Sequence, residues 1–366
     1  MPEKNRVYRA RIEGYTSEGL GVARIDGQAV FVHRALRGED CDVLILKVLK
    51  NAAFGKAVRV YEPSPHRVEP DCPYYGRCGG CDFRHMDRTE ELAAKRQRVQ
   101  DALRRIGGSA VTVEGIDGGA PLHYRNKSQY PVAADGSVGF YKARSHQVVP
   151  VTQCLIQKPQ ADAAAQALRT YIASCGVSCY DEKTRRGLVR HLYIRTNGAG
   201  QSLICVVVNG KKLPGEEELV RLLRQAAPET VGVVLGVNTQ PTGAVLGTEY
   251  RTLWGADVLT DTLCGLTFRL SVPSFYQVNR EMAERLYARA VEFAGLTGTE
   301  TVLDLYCGAG TITQVMARHA GRVIGAEIVP EAIEDAKANA KRNNVENVEF
   351  FCGDASAVAA DLAARG

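Results

Sequence analysis

Two stretches hold residue types at spacings able to do chemistry. The first is CPYYGRCGGC, in which Cys72, Cys78 and Cys81 follow a C-x5-C-x2-C pattern with Gly76, Gly79 and Gly80 between them. Glycines let a short loop fold round a bulky ligand and aim thiolates inward. Four thiolates suit zinc or an iron–sulfur cluster. Three close cysteines leave one ligand to be found, and Cys154 in VPVTQCLI is the best distant candidate. Structural zinc sites usually pair their cysteines two and two, so three plus one favours a 4Fe–4S cluster, with zinc or no metal as the alternatives.

The second stretch is TVLDLYCGAGTIT, an apolar strand running into a glycine-rich turn and then a helix beginning near Thr311. Gly308 and Gly310 permit close backbone approach to a ligand. Glu327 ends the next strand, in VIGAEIV, where a carboxylate can accept hydrogen bonds from both ribose hydroxyls of an adenosine ligand. Asp354, ending the third strand in FFCGDA, is placed to meet the adenine. A dinucleotide site would show GxGxxG, but Ile312 and Thr313 stand where the third glycine belongs. The GxG turn, with Asp304 on the strand itself, reads better as a site for S-adenosyl-L-methionine.

The other cysteines say less. Cys41, Cys205 and Cys264 lie in strand-like apolar stretches and read as small core residues, while Cys175 and Cys179 in CGVSC give only a weak metal signal. Eleven cysteines in a chain of 366 residues do not make a disulfide scaffold.

Around these sites the chain divides into three. Residues 6–60 read as short strands punctuated by glycines, the pattern of a small barrel of the oligonucleotide-binding type. The piece YTSEGLGVARIDGQAVFVHRALRGE resembles the TRAM domain, a barrel appended to RNA-modifying enzymes; Arg9, Arg11, Arg24, Arg34, Arg37, Lys47, Lys50 and Lys56 are its candidate phosphate track. A proline-rich linker lies near 61–71. Residues 88–106 carry Leu92, Val99, Leu103 and Ile106 at helical spacing and end at Gly107–Gly108, predicting one helix. Residues 120–270 mix strands and helices as an α+β domain, and from 300 strands and helices alternate as in a parallel βαβ sheet. The expected domains are a barrel at 1–62, a central α+β domain at 63–270 bearing the cysteine cluster, and a Rossmann-like α/β domain at 271–366, which the family resemblance given below implies to be the first half of a methyltransferase domain. Helix 88–106 is expected to pack on that last domain.

At 45% apolar and 24% charged residues, the composition excludes disordered, collagenous and fibrous chains. No apolar run spans a bilayer and the start does not resemble a secretion signal, so the expected location is the cytoplasm, with no membrane partner and no protein partner implied. The net charge of +5 is uneven: residues 296–366 hold 6 Lys/Arg against 10 Asp/Glu, leaving 40 against 31 elsewhere. A basic front points to a polyanion.

Taken in order, the barrel, CPYYGRCGGC, YRNKSQYPV at 124–132, Cys154, SFYQVN at 274–279 and LDLYCGAGTIT at 303–313 resemble the bacterial 23S ribosomal RNA uracil-5 methyltransferases over residues 6–366. The resemblance implies S-adenosyl-L-methionine held by Gln277, Tyr306, Thr311, Glu327 and Asp354 around Gly308 and Gly310. It implies a 4Fe–4S cluster on Cys72, Cys78, Cys81 and Cys154, and 23S rRNA as partner, hence a role in rRNA processing. Arg125, Asn126 and Lys127 match a family segment without an assignable role. Transfer-RNA uracil methyltransferases, which typically lack the barrel and the cysteines, are the weaker match. A cluster-bearing RNA-binding module without catalysis is the other alternative.

In that family a cysteine thiolate adds to carbon 6 of uracil, the activated carbon 5 takes the methyl group, and a base removes the carbon 5 proton. The family's nucleophile comes after a DPPR-type strand end, which is not present here. No catalytic residue is therefore carried over, Cys307 and Cys352 being better read as packing or cofactor-lining residues. The sequence predicts a C-terminally incomplete domain, with Val302–Tyr306 as an open edge, and a chain inactive by itself.

Overall fold

The computed structural model describes residues 1–365. They form two compact units, Met1–Gly118 with Lys142–Arg144, and Gly119–Tyr141 with the chain from Ser145 onward.

In the first unit, six strands make one sheet: β1 (Val7–Arg11), β2 (Gly14–Tyr15), β3 (Gly21–Ile25), β4 (Gln28–His33), β5 (Asp40–Val48) and β6 (Ala52–Glu62), in the order β1-β5-β6-β4-β3-β2. β4 and β6 run parallel and the other pairs antiparallel. Alternate residues point inward, as the strand period requires. Ile12, Ala23, Val30, Val32, Val43, Ile45 and Ala53 fill the interior. Gly55 lets β6 pass close to β5, since a Cβ there would lie 2.6 Å from the Val43 side chain.

Two buried carboxylates tie this barrel to the loop and helix on its C-terminal side. Glu39 receives a two-pronged bond from Arg67, at 2.5 and 2.6 Å, and the amides of Leu36 and Ser64. Glu90 accepts from Tyr15 at 2.7 Å and from Arg37 at 3.1 Å. Glu90 lies in helix α1 (Arg88–Asp101), whose first turn is capped by Asp87. The helix expected over 88–106 is α-helical only to Asp101; Ala102–Ile106 form a π-helical turn.

The second unit begins with β7 (Lys127–Pro131), the short pair β8 (Gly139–Tyr141) and β9 (Val148–Pro150), and helix α2 (Pro159–Ser174). Then come β10 (Val189–Thr196), β11 (Ser202–Val208), α3 (Glu216–Ala226), β12 (Thr230–Val237) and β13 (Glu249–Gly255). These give a five-stranded sheet ordered β13-β12-β11-β10-β7, in which only β11 and β12 are parallel. β10 and β11 are buried along their whole length. Tyr193, Leu203, Cys205 and Val207 share a face with Val234, Leu259 and Val272.

Next are a hairpin, β14 (Val258–Leu263) and β15 (Leu266–Ser271), and then α4 (Arg280–Ala294). Cys264, expected on a strand, instead forms the turn of this hairpin with Gly265, at φ 51° and 72°, while still packing, partly buried, against the core cluster of Leu263, Phe268 and Tyr287. A two-residue hairpin loop needs positive φ at both positions, and that requirement overrides the apolar context.

The last layer is a parallel sheet in the order β16-β17-β18, from β16 (Thr301–Asp304), β17 (Arg322–Glu327) and β18 (Val348–Cys352), alternating with α5 (Thr311–Ala317), α6 (Pro330–Arg342) and α7 (Ala355–Arg365). Among the described residues β16 pairs only with β17, so it stands at the sheet edge, as expected for Val302–Tyr306. Asparagines at α6 clip the hairpin to this layer. Asn339 accepts from the Arg269 amide at 3.0 Å, and Asn343 accepts from the Thr267 amide at 2.8 Å and donates to its carbonyl at 2.9 Å.

No helix among the described residues is long and apolar enough to cross a membrane.

Candidate functional site

The glycine turn between β16 and α5 crosses the end of the parallel sheet. Gly308 and Gly310 both take positive φ, 52° and 75°, a conformation that side-chain-bearing residues rarely adopt. They differ in their surroundings. A Cβ on Gly310 would press on Ala336, Phe350 and Gln314 at 3.1–3.3 Å, whereas one on Gly308 would meet nothing within 4 Å. Gly310 therefore serves packing, and Gly308 leaves an open floor.

Glu327, at the end of β17, faces this floor. One carboxylate oxygen accepts the Gly308 amide at 3.2 Å, and the other accepts the Val329 amide at 3.0 Å. Each oxygen keeps a lone pair for a further donor. Asp304 is held by the Thr313 hydroxyl at 2.6 Å; burial, opposed by that bond, leaves its carboxyl above the usual range. Thr311 shares a hydroxyl–hydroxyl bond of 2.9 Å with Tyr287 of α4. Tyr306, 81% exposed, presents a bare ring on which a flat ligand can stack.

Asp354 departs from the expectation. β18 stops at Cys352, and the Asp354 carboxylate caps α7 by accepting from the amides of Ser356 at 3.0 Å and Ala357 at 3.2 Å. Its first task is that of a helix cap. Gln277 lies in the segment joining β15 to α4. Asn126 binds its carbonyl at 2.9 Å, and its side-chain amide takes no hydrogen bond among the described residues. Ser274, three residues earlier, bonds Asp335 of α6 at 2.9 Å, so this segment is fastened to the same layer as the turn. An open floor, an acceptor across it and an exposed ring together suit an adenosine ligand.

The cysteine loop is shaped by its glycines. Gly76 sits at φ 80°, where a Cβ would overlap the Arg34 guanidinium, which lies over the Tyr75 ring. The Tyr75 hydroxyl meets Nδ1 of buried His85 at 2.6 Å, and Arg84 grips Asp71 with two bonds of 2.7 Å. Burial pushes the Cys78 thiol up, partly offset by the Gly80 amide, and nearby Cys72 adds to the rise. Cys72 and Cys81 also both act on Arg84. Cys154 lies in the second unit, where its amide donates to Asp162 at 2.8 Å.

The donor chemistry of the loop suits a thiophilic metal centre. A closed set does not accompany it: among the described residues no three His, Cys, Asp or Glu side chains stand together as ligands of a metal ion.

The expected phosphate track is largely paired. Arg9 binds Asp40 at 2.6 Å, Arg11 reaches Glu62 at 3.6 Å, Arg24 reaches Glu13 at 3.9 Å, and Arg37 is spent on Glu90. Lys47, Lys50 and Lys56 stay exposed and take no ion pair among the described residues.

The sequence reading missed the asparagine clips at α6, the Tyr287–Thr311 bond and Arg195. The only available signal was a polar residue on an otherwise apolar face.

A strand-rich barrel thus precedes a parallel sheet whose glycine turn and acidic strand end suit an adenosine-bearing ligand. Residues 3–58 match the TRAM domain family and residues 296–364 the methyltransferase domain family. An uncharacterized RNA methyltransferase of Clostridium tetani is 42% identical over 100% of this chain and 80% of its own length. Another, from Halalkalibacterium halodurans, is 41% identical over 97% of this chain and 79% of its own. The tRNA (uracil-54, C5)-methyltransferase of Pyrococcus abyssi, solved with S-adenosyl-L-homocysteine, superposes with a TM-score of 0.76 over 94% of this chain and 79% of that one; at 22% identity the likeness is one of fold. The chain belongs to the RNA methyltransferase family that joins a TRAM domain to a methyltransferase domain.

Proposed function

We propose that the protein methylates carbon 5 of a uridine in 23S ribosomal RNA, with S-adenosyl-L-methionine as methyl donor. The observation that carries the cofactor assignment is the Glu327 carboxylate beside the open position over Gly308. Bound there, the cofactor supplies an electrophilic methyl group. Glu327 accepts the ribose hydroxyls, Tyr306 stacks on the base, and Gln277 offers an unused amide from the facing segment. Thr311, braced by Tyr287, holds the helix start in place. Asp354, already the cap of α7, would meet the adenine from that position.

The assignment to uracil-5 and to 23S rRNA rests on the motif order in the sequence, and the fold of the tRNA enzyme supports the uracil chemistry. No residue of the chain is assigned as nucleophile. Cys307 is buried and its thiol is pushed up to about 12, chiefly by burial, so it holds almost no thiolate at neutral pH. A 4Fe–4S cluster on Cys72, Cys78, Cys81 and Cys154 belongs to the same reading. Its task is to order the loop, and it takes no part in methyl transfer.

The test has two arms. Deletion of the gene should remove one or more 5-methyluridines from 23S rRNA, read by mass spectrometry of nuclease digests; loss from tRNA alone would move the substrate to tRNA. Anaerobic reconstitution should give about four irons per chain with a broad visible absorbance, lost in Cys78→Ser. An iron-free, colourless product from the unaltered chain would remove the cluster from the proposal.

A further inference from the structure

Three cations meet on one face of the five-stranded sheet. Lys127 of β7 stands directly opposite Arg195 of β10 in the antiparallel register, so both side chains leave the same face. Arg125, two residues before Lys127, lies on that side as well, and its Nε donates to the Lys127 carbonyl at 3.1 Å. None of the three takes a carboxylate partner among the described residues. Like charges at such spacing oppose one another, and burial adds to the cost.

Arg195 explains part of the arrangement. It is 2% exposed, and its guanidinium donates to the carbonyls of Val272 and Ser274, fixing the chain that leads to Gln277. Its Nε is buried with no acceptor among the described residues. Lys127 is half-buried and its ammonium makes no hydrogen bond among them. Clamping two carbonyls requires Arg195 alone; it does not require two more cations beside it. A buried orphan donor and an unused ammonium at one spot call for an anion. Arg125 and Lys127 are only partly buried, so the spot is reached from outside through them.

We propose that Arg125, Lys127 and Arg195 form a phosphate site that grips the RNA backbone beside the segment carrying Gln277. This rests on the reading of the protein as an RNA methyltransferase. A base drawn out of its stack must bring its own phosphates with it, and a fixed cationic pocket holds them while the base is presented. The other anion of suitable size is the carboxylate of the methyl donor, and the experiment separates the two.

The measurement is fluorescence anisotropy of a labelled, uridine-rich single-stranded RNA with the whole chain over a series of potassium chloride concentrations. S-adenosyl-L-homocysteine affinity is measured in parallel by calorimetry. K127Q and R125Q should each make the slope of log affinity against log salt shallower by about 0.7. K127R should restore it, and S-adenosyl-L-homocysteine affinity should stay unchanged in all three. R125Q keeps the test in hand if K127Q does not fold, as read by circular dichroism. Unchanged slopes in the folded variants overturn the site. Loss of S-adenosyl-L-homocysteine affinity with an unchanged slope also overturns it, assigning the cations to the cofactor carboxylate. If the unaltered chain binds S-adenosyl-L-homocysteine but no RNA, the phosphate site falls while the cofactor assignment stands.

Discussion

The Glu327 carboxylate accepts the amide of Gly308 at 3.2 Å, so the acidic strand end and the glycine turn are one structural piece. Removing the carboxylate removes both the ligand's acceptor and a brace of the turn. Glu327→Ala should weaken S-adenosyl-L-homocysteine binding by roughly tenfold to a hundredfold, the span of about 1.5–3 kcal/mol for hydrogen bonds to a charged group. Glu327→Gln should fall between. Calorimetry reads both, and an alanine variant with unaltered affinity would remove Glu327 from the site.

The two glycines of the turn should separate under substitution. Each takes a left-handed conformation, so alanine at either costs about 1–2 kcal/mol of stability. Gly310→Ala adds crowding against Ala336 and Phe350 and should be the less stable of the two. Gly308→Ala places its methyl in open space and should lose ligand affinity beyond its effect on stability. Urea unfolding beside calorimetry distinguishes them; equal effects on both quantities would contradict the division of labour.

Asn343 joins the end of α6 to the hairpin and also donates to Gln314 at 2.9 Å. Asn343→Ala leaves the Thr267 amide without that acceptor and should cost about 1–3 kcal/mol. Faster hydrogen exchange at Thr267 than at the strand pairs of β14 and β15 would be the local signature. Unchanged exchange there would show the clip to be dispensable.

Acid should loosen both units. Burial acts to raise the Glu39 carboxyl, but Arg67 and two backbone amides outweigh it, so it lies below its ordinary 4.5. That contribution is complete above the ordinary value and is lost as pH falls through the lower folded value. His85 and His191 are pushed by burial from 6.5 down to about 4, so the unfolded chain takes up their protons first. Between those values each histidine should remove about 1.4 kcal/mol of stability per unit of falling pH. Urea midpoints measured from neutral pH to pH 4.5 check this, and a flat profile would refute it.

The parts legible in the sequence were local and periodic. Short strand-like stretches punctuated by glycines over residues 6–60 marked the barrel, and the strand, glycines and acid of 301–327 announced the turn because its elements are neighbours in the chain. Long-range polar pairs left no such trace. Glu39 and Arg67 lie far apart in sequence, and neither stands in a periodic pattern. The neutralisation of Arg9, Arg24 and Arg37 was hidden for the same reason, so a count of arginines overstated the open charge on the barrel. Asp354 was placed at the right end of the sheet, but a helix start just past the strand recruits it as a cap.

The two buried carboxylates also bear on where this molecule can be divided. Sequence pattern suggests a cut after residue 62, yet that cut strips Arg67 from Glu39 and removes Glu90 from Tyr15 and Arg37. An orphaned buried charge costs about 3–5 kcal/mol, a large fraction of what so small a barrel has to spare. The transplantable part is the barrel together with its C-terminal loop and helix, and a graft that carries only the strands carries an incomplete object.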